Sequence, residues 1–307
     1  MINLESILVV IEPNQTQQPA LIRGLSLANK INAKLMVMLS VYHAGYELKH
    51  MLSEKEREEF RAEYIADRYS WLEDLLEKYE LPRTTLTAVH WHPRVYESVI
   101  ETAREEKADL IIKSMKHDPV VTSPVFTPLD WHLIRKSPFP VLLVSQTQET
   151  HYEHIVTAVN TGFEDRSHSL LNEKLTECAD EIASIYSSQV HLVNAYPSVP
   201  QPMSKSTQSF TYSVLARAIQ NHHFQALDMF GDRFSVAKTN RHVVEGEPHE
   251  VIPSVISSLS ASLLVIGSIG DMGMASKTLG QSAEFIIDSI KCDVLAVKPD
   301  GFVPPLH

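Results

Sequence analysis

The stretch SILVVIEPN, residues 6–14, recurs as HIVTAVNTG at residues 154–162. In both copies a short apolar run ends at a polar residue, Glu12 in the first and Asn160 in the second, and a segment with helical periodicity follows. The two copies lie 148 positions apart, and the matching runs FPVLLVS and CDVLAVKP lie 153 positions apart. A nearly constant offset along the chain indicates duplication of one structural unit.

The repeated unit itself predicts an architecture. The segments AKLMVMLSVYH and SQVHLVNAYP also correspond, as do ADLIIKS and ASLLVIGS. Short β-branched runs that alternate with helical segments are typical of βαβ units, whose parallel sheet is covered by helices on both faces. We therefore expect two tandem five-stranded, Rossmann-like parallel-sheet domains, each a three-layer α/β/α structure. The first is expected at residues 1–147 and the second at 154–307, with the polar stretch SQTQETHYEH (residues 145–154) at the junction.

Composition excludes several classes of protein. A chain of 307 residues with 44% hydrophobic and 21% charged residues is typical of a folded protein of two domains. A net charge of −11 with scattered basic residues argues against nucleic acid as a partner. The opening MINLESILVVIEP has no cationic leader and no segment reaches membrane length, so we expect a cytoplasmic protein without a membrane partner. Cys178 and Cys292 form no CxxC pair and are interpreted as small buried residues.

The second half contains a glycine-rich stretch, VIGSIGDMGMASKTLGQSAEFII, at residues 265–287. An apolar run leads into Gly267 and Gly270, and Gly280 opens a segment of helical pattern. Such glycines let backbone N–H groups approach an anion, to which a helix N-terminus adds a favourable dipole. No lysine follows Gly280, which excludes a Walker P-loop, and the spacing differs from GxGxxG. What remains is a longer phosphate cradle, or else three glycines that only permit a bend.

The segment GSIGDMGMASKTLGQSAE resembles the nucleotide-binding signature of universal stress proteins, G-x2-G-x9-G-(S/T), and the duplicated layout resembles the tandem E-type members. Segments such as VVIEPNQTQQPAL, FTPLDWHLIRKSPFPV and VEGEPHEVIP extend the likeness over nearly the whole chain. The resemblance implies a stress-response or regulatory protein that binds ATP or AMP, with or without Mg²⁺, in its second domain. The nucleotide-binding positions that it implies are Ala158, Asn160, Ala195, Gly246, Ile266, Gly267, Gly270, Gly280, Gln281 and Ser282.

Two positions depart from the family pattern. The usual acid at the end of the first strand is Asn160 here, and Gln281 follows the last glycine, with Ser282 one place later. An amide can hydrogen-bond a ribose or a phosphate, but it brings no negative charge for a metal ion and no hydroxyl ligand. We therefore assign no catalytic residue and expect at most weak ATP hydrolysis.

The matching region of the first half has no glycine. Its residues, Lys113, Met115, His117, Asp118 and Pro119, disfavour close approach of the backbone to an anion. We expect no nucleotide in the first domain, where Asp130, Trp131 and His132 are predicted to fix the loop to the sheet or to the partner domain.

Fifteen histidines raise the question of a metal site. His90 and His92 would point to one face of a strand, with His117 as a third candidate ligand. No carboxylate or cysteine lies beside them at ligand spacing, so no metal site is assigned. His222 and His223 are neighbours on a helical segment and point apart, which argues against joint ligation.

Two alternatives to a nucleotide-binding protein stay open at this level, and so do the partners. The chain could instead be a slow hydrolase that acts on ATP or on an acyl-bearing small molecule in an apolar second-domain cavity, or a ligand-free scaffold. The segment SFTYSVLARAIQNHHFQALDMF (residues 209–230) either covers the domain interface or lines such a cavity. The two domains are expected to pair with each other within the chain, and a homodimer of whole chains is a further alternative.

Overall fold

The structure is a computed structural model that describes residues 4–13, 15, 17–47, 51–117, 124–125, 127–145, 151–162, 166–199, 210–268, 283 and 285–303. These residues form two compact units. The first unit contains 4–117 and 127–145, and the second contains 124–125 and 151–303. Each unit has its own five-stranded parallel sheet with helices packed on it, which confirms the predicted fold class.

The first half of the chain alternates strands and helices. Its elements are β1 (Ser6–Val10), α1 (Pro19–Ile31), β2 (Lys34–Val41), α2 (Glu54–Leu76), β3 (Leu86–Trp91), α3 (Val95–Glu105), β4 (Leu110–Ser114), the two-residue strands β5 (Lys116–His117) and β6 (Pro124–Val125), α4 (Pro128–Lys136) and β7 (Val141–Val144). The strand order in the sheet of the first unit is β7-β4-β1-β2-β3.

The second half repeats this arrangement. Its elements are β8 (His154–Ala158), α5 (Arg166–Tyr186), β9 (Gln189–Tyr196), α6 (Phe210–Arg233), β10 (Arg241–Glu245), α7 (Pro248–Leu259), β11 (Leu263–Gly267) and β12 (Asp293–Val297), and residues 285–289 are helical. The sheet order is β10-β9-β8-β11-β12. In both units the first strand has neighbours on its two sides, so the strand order reverses there and a crevice opens at the carboxyl ends.

Apolar strands make the core of each unit. All five residues of β1 are buried, and so are all five of β12. Full burial of one large aliphatic side chain stabilises a fold by about 1.5–3 kcal/mol. Gly24 allows α1 to lie close to β1, because a Cβ atom there would come within 2.4 Å of Val9 Cγ2. Close packing of α1 on the sheet therefore requires a glycine at this position.

Both cysteines are buried, as the sequence predicted. Burial raises the pKa of Cys178 and of Cys292 to about 12, so each remains a thiol at neutral pH.

In the described part of the chain, no helix combines the length and the apolar character that a membrane span requires.

Tyr152 lies within the stretch interpreted as a polar junction, yet its side chain is buried in the second unit. Its hydroxyl donates a 2.6 Å hydrogen bond to Asp293 Oδ2 at the start of β12, and its ring lies 5.1 Å from that of Tyr186. Packing of the second unit therefore begins ahead of β8. The polar residues around Tyr152 give no sign of its burial in the sequence.

Three histidines form a hydrogen-bonded row across β8, β9 and β10. His191 Nε2 is 3.0 Å from His154 Nδ1, and His191 Nδ1 is 3.2 Å from His242 Nε2. Burial, followed by the charges of His242 and His154, lowers the pKa of His191 to about 4. His191 is therefore neutral in the folded protein at neutral pH and is ionised only under acid conditions.

We predict an acid-dependent loss of stability from this row. A histidine in the unfolded chain has a pKa of about 6.5. The stability that neutral His191 contributes is thus complete above that pH and is lost as the pH falls towards about 4. His191→Phe should be less stable at neutral pH but lose less stability on acidification, and thermal unfolding between about pH 8 and pH 4 measures both effects. Exposed His249→Phe is the control, and equal acid sensitivity of the two variants would contradict the assignment.

Candidate functional site

The second unit has a crevice of about 120 Å³ at the carboxyl ends of β8, β9 and β11. Most of its lining is apolar, and several of the side chains are small. The lining residues are Ala158, Val159, Asn160, His168, Leu171, Asn172, Leu175, Ala195, Pro248, Ile252, Ile266, Gly267, Ala283 and Ile286. This is the edge of an open α/β sheet at which ligands bind.

Five of the ten residues expected to bind nucleotide line this crevice: Ala158, Asn160, Ala195, Ile266 and Gly267. Gly246 is not among the lining residues. It follows β10 with a φ of 140°, and its N–H donates to the carbonyl of Tyr196. Gly270, Gly280, Gln281 and Ser282 lie outside the described residues, and the binding role of all ten stays a prediction.

Gly267 ends β11 where α5 approaches it most closely. A Cβ atom at this position would lie 2.7 Å from Leu171 Cδ2, closer than two carbon atoms pack. A larger residue would therefore have to displace Leu171, which also lines the crevice. The glycine keeps this wall close to the strand and leaves the backbone open to a ligand.

The turn after β8 is tied to α5 through Asn160. Its N–H donates to Asn172 Oδ1 at 3.0 Å, and its carbonyl accepts from Asn172 Nδ2 at 2.9 Å. Both backbone groups are thus satisfied by one side chain. The side-chain amide of Asn160 makes no hydrogen bond to another residue that the structure describes, so it is available to a molecule in the crevice.

Two neighbouring histidines of α6 contact the same turn. His223 Nδ1 lies 2.9 Å from Asn194 Nδ2, and Asn194 Oδ1 accepts from the N–H of Thr161 at 3.2 Å. His222 Nε2 lies 3.1 Å from the carbonyl oxygen of Gly162. The adjacency of these histidines in the sequence bears on joint metal ligation but gives no sign of their shared contact with one turn. The described lining of the crevice includes no residue of α6, so the alternative that this helix lines the cavity is not supported.

A buried lysine was also missed. Lys298 follows β12 and is 2% exposed, and its Nζ donates to Ser268 Oγ at 3.1 Å. The same ammonium lies 4.6 Å from the centroid of the Phe302 ring. Ser268 directly follows Gly267, so Lys298 fixes the beginning of the glycine-rich stretch. The sequence carries no signal for it beyond a lysine at a strand end.

In the first unit, charges occupy the equivalent place. Lys113 Nζ lies 2.5 Å from Glu12 Oε1 and 2.8 Å from Asp130 Oδ1, and it donates to the carbonyl of Ser114 at 2.9 Å. Lys113 is 1% exposed and Asp130 is fully buried. We call Glu12, Lys113 and Asp130 the ion triad.

The repeat assigns each member of the ion triad to a crevice residue of the second unit. Glu12 matches Asn160, which ends the corresponding strand, and Lys113 and Asp130 match Ile266 and Ala283 at the offset of 153. All three of these counterparts line the second-unit crevice. In the first unit the ion triad therefore stands at the positions that three neutral residues occupy in the crevice lining of the second unit.

The charge of Lys113 is maintained inside the protein. Burial acts to lower the pKa of Lys113, but the charges of Asp130 and Glu12 and their hydrogen bonds outweigh it, and the pKa is raised. Asp130 Oδ2 also accepts from the N–H of Thr127 at 2.7 Å in a capping box that begins α4. Asp130 thus joins the start of α4 to β4. The predicted role of Trp131 and His132 in fixing the loop stays a prediction, and their rings contact Arg135 and Tyr96 respectively.

The start of α1 is also occupied. Ser114, the counterpart of Gly267, accepts from the N–H of Ala20 through its hydroxyl at 3.0 Å. The side chain of Gln18 bonds both backbone groups of Glu12. Because these groups already satisfy the helix N-terminus and the turn before it, an anion has few donors left to bind there.

The histidine metal candidates are not assembled into a site among the residues described. His92 Nδ1 lies 2.8 Å from the carbonyl oxygen of Arg94, and its Nε2 is 4.0 Å from Glu97 Oε2. The side chain of His117 lies outside the described part. Within that part, no three His, Cys, Asp or Glu residues are grouped so that they could hold a metal ion.

The tandem fold and the second-unit crevice at the carboxyl ends of its strands define the class of this molecule as a duplicated α/β protein. The sequence profile of the universal stress protein family matches residues 3–145 and 151–298. The chain belongs to this family and is a tandem member of the E type. It is 34% identical over 305 residues to universal stress protein E of Escherichia coli strain K12, covering 99% of this chain and 96% of that protein.

Other relatives agree. The universal stress protein E homologue of Haemophilus influenzae is 33% identical over 301 residues, covering 96% of this chain and 97% of its own. The crystal structure of a functionally unknown protein from Pseudomonas aeruginosa PAO1 matches with a TM-score of 0.74 at 25% identity, covering 97% of this chain and 94% of that one. The likeness therefore extends over both units.

We predict that the ion triad is strongly coupled. Lys113→Met should lower the free energy of unfolding by about 3–5 kcal/mol, because it leaves two carboxylates without their buried cation. The triple variant Glu12→Gln, Lys113→Met, Asp130→Asn should recover most of that loss. Urea unfolding of the single and triple variants measures the difference. Equal loss in both variants would show that the charges are not coupled.

Proposed function

We propose that the second unit binds an adenine nucleotide, ATP or AMP, and that the chain acts by this binding as a regulatory protein of the cytoplasmic stress response. The observation that carries the proposal is the crevice beside Gly267, where small side chains leave room and Asn160 presents an uncommitted amide. The position at the carboxyl edge of the sheet supports it, since open α/β folds bind ligands there.

The chemistry of the lining matches the parts of such a ligand. Ala158, Ala195 and Ile252 offer apolar contact to a flat base, and the Asn160 amide can donate to or accept from a ribose hydroxyl. Gly267 begins the stretch that is expected to surround the phosphates. No carboxylate occurs in the described lining, so an accompanying Mg²⁺ would be held by phosphate oxygens and water.

Only one nucleotide is expected for each chain. In the first unit Glu12, Lys113 and Asp130 occupy the equivalent positions and satisfy one another. A ligand would have to break these ion pairs inside the protein, at a cost of several kcal/mol. The closed first unit and the open second one thus support a single site.

A second candidate is an acyl-bearing small molecule. Leu171, Leu175, Ile252 and Ile286 give the crevice an apolar wall suited to a short hydrocarbon chain. Hydrolysis of such a ligand, or of ATP, is the enzymatic alternative, in which the described lining would supply His168 as its one titratable group. Phosphate release that continues over many turnovers and disappears in Asn160→Ala would favour an enzyme.

We predict that Ala195→Leu removes nucleotide binding, because its side chain would enter the crevice. Val41→Leu, at the matching position of the first unit, should leave binding unchanged. Titration calorimetry of the parent protein and both variants with ATP, AMP and cyclic AMP measures the effect. If no nucleotide binds more tightly than about 1 mM, which corresponds to about 4 kcal/mol, the ligand-free scaffold is the better description. Equal loss in both variants would place the site elsewhere.

A further inference from the structure

The turn at Val159–Gly162 borders the crevice and is held by side chains from three different elements. Asn172 of α5 bonds the backbone of Asn160, and Asn194 of β9 bonds the N–H of Thr161. From α6, His222 reaches the carbonyl of Gly162 and His223 reaches Asn194. The position of Asn160 at the crevice therefore depends on contacts that include two titratable rings.

The hydrogen bonds fix the protonation state of His223. Asn194 Oδ1 accepts from the N–H of Thr161, so the atom of Asn194 that faces His223 is the Nδ2 donor. A donor requires an acceptor, and His223 Nδ1 must therefore carry no proton. The ring is neutral in this arrangement, with its proton on Nε2.

Packing leaves His223 little freedom to move away. The ring stacks on Tyr196 at a centroid distance of 5.1 Å and an interplanar angle of 21°. On the side of the turn, a Cβ atom at position 162 would lie only 2.0 Å from His223 Cε1, so glycine is needed for the ring to fit. His223 is 8% exposed and Asn194 is fully buried.

We propose that His223 is a proton-controlled positioning residue for the second-unit crevice. Neutral His223 holds Asn194, which holds the N–H of Thr161 and with it the turn that carries Asn160. A proton added from solvent binds His223 Nδ1 and sets one N–H against another, so the contact with Asn194 breaks and the turn is released. Ligand affinity then falls under acid conditions. This inference rests on the proposed nucleotide function for its effect on affinity.

The charges around His223 decide the direction of the effect. Burial lowers the pKa of His223, and the charge of His222 on the same helix lowers it further. On β9, burial and then Glu245 of β10 raise the pKa of Tyr196, which remains a neutral hydroxyl. Among the residues that the structure describes, no neighbouring group favours the charged ring, so the turn is held at neutral pH and is released only as the pH falls below about 6.5.

The first test needs no ligand. When the pH is lowered from a neutral value to an acid value at which the fold is intact, the backbone amide resonance of Thr161 should shift with a single titration. His223→Asn places an oxygen acceptor at the δ position and should show no such titration. His223→Phe keeps a ring on Tyr196 but removes the acceptor, and should show the released signal at both pH values. The Val265 amide in β11 should stay unchanged in all three proteins, which controls for unfolding.

The second test measures ATP affinity by calorimetry at the same two pH values. The parent protein should lose about tenfold more affinity on acidification than His223→Asn, because protonation leaves a buried donor of Asn194 without its acceptor. His223→Phe should bind weakly at both pH values. The Asn variant also controls for protonation of the nucleotide itself, which is the same in both proteins.

The two hypotheses fail in different ways. If ATP does not bind at either pH while the Thr161 amide titrates as expected, proton control of the turn is supported and the nucleotide function is overturned. If ATP binds and its pH dependence is the same in the parent protein and in His223→Asn, with no titration of the Thr161 amide, the role of His223 is overturned and the nucleotide function stands.

Discussion

The contact of Lys113 with Glu12 and Asp130 is the constraint from which the asymmetry of this protein follows. An unpaired ammonium inside a protein costs several kcal/mol, and so does each unpaired carboxylate. Together at 2.5 and 2.8 Å they satisfy one another and join the ends of β1 and β4 to the start of α4. In the first unit, charged side chains therefore stand at the positions that correspond to the crevice of the second.

The second unit has neutral residues at the positions that match the ion triad. Asn160, Ile266 and Ala283 at the matching positions carry no charge and form no ion pairs with one another, and they line a crevice. The turn at its rim is held instead by hydrogen bonds from Asn172, which lines the crevice, and from Asn194 and the two histidines of α6. The same fold therefore carries an ion triad in one unit and, in the other, a crevice whose bordering turn is held by side-chain hydrogen bonds.

Much of the fold follows from the sequence, because periodicity and repetition are local signals. The runs around Ile7 and Ile155 predict their strands, and the offset between them predicts two sheets of the same order. The apolar surroundings of Cys178 and Cys292 predict their burial. Among the site residues, Asn160 and Gly267 could be placed because the carboxyl edge of a parallel sheet is a fixed location, whereas Ala158 was implied only by the family resemblance.

The rest depends on contacts between residues that are distant in the sequence. Glu12, Lys113 and Asp130 meet only after the sheet and α4 have formed, and no spacing rule joins them. Gly246 matches the family pattern but its strand ends beside the crevice without lining it. His222 contacts the carbonyl of Gly162 while His223 contacts Asn194, and the planes of the two rings are 83° apart. Such pairings require the tertiary structure.

Native mass spectrometry of the intact chain with excess ATP tests the central claim most directly, because it counts bound molecules. A closed first crevice beside an open second one predicts a single nucleotide on each chain. Two nucleotides on each chain would show that the ion triad does not close the first unit, and none would show that the second crevice serves another purpose.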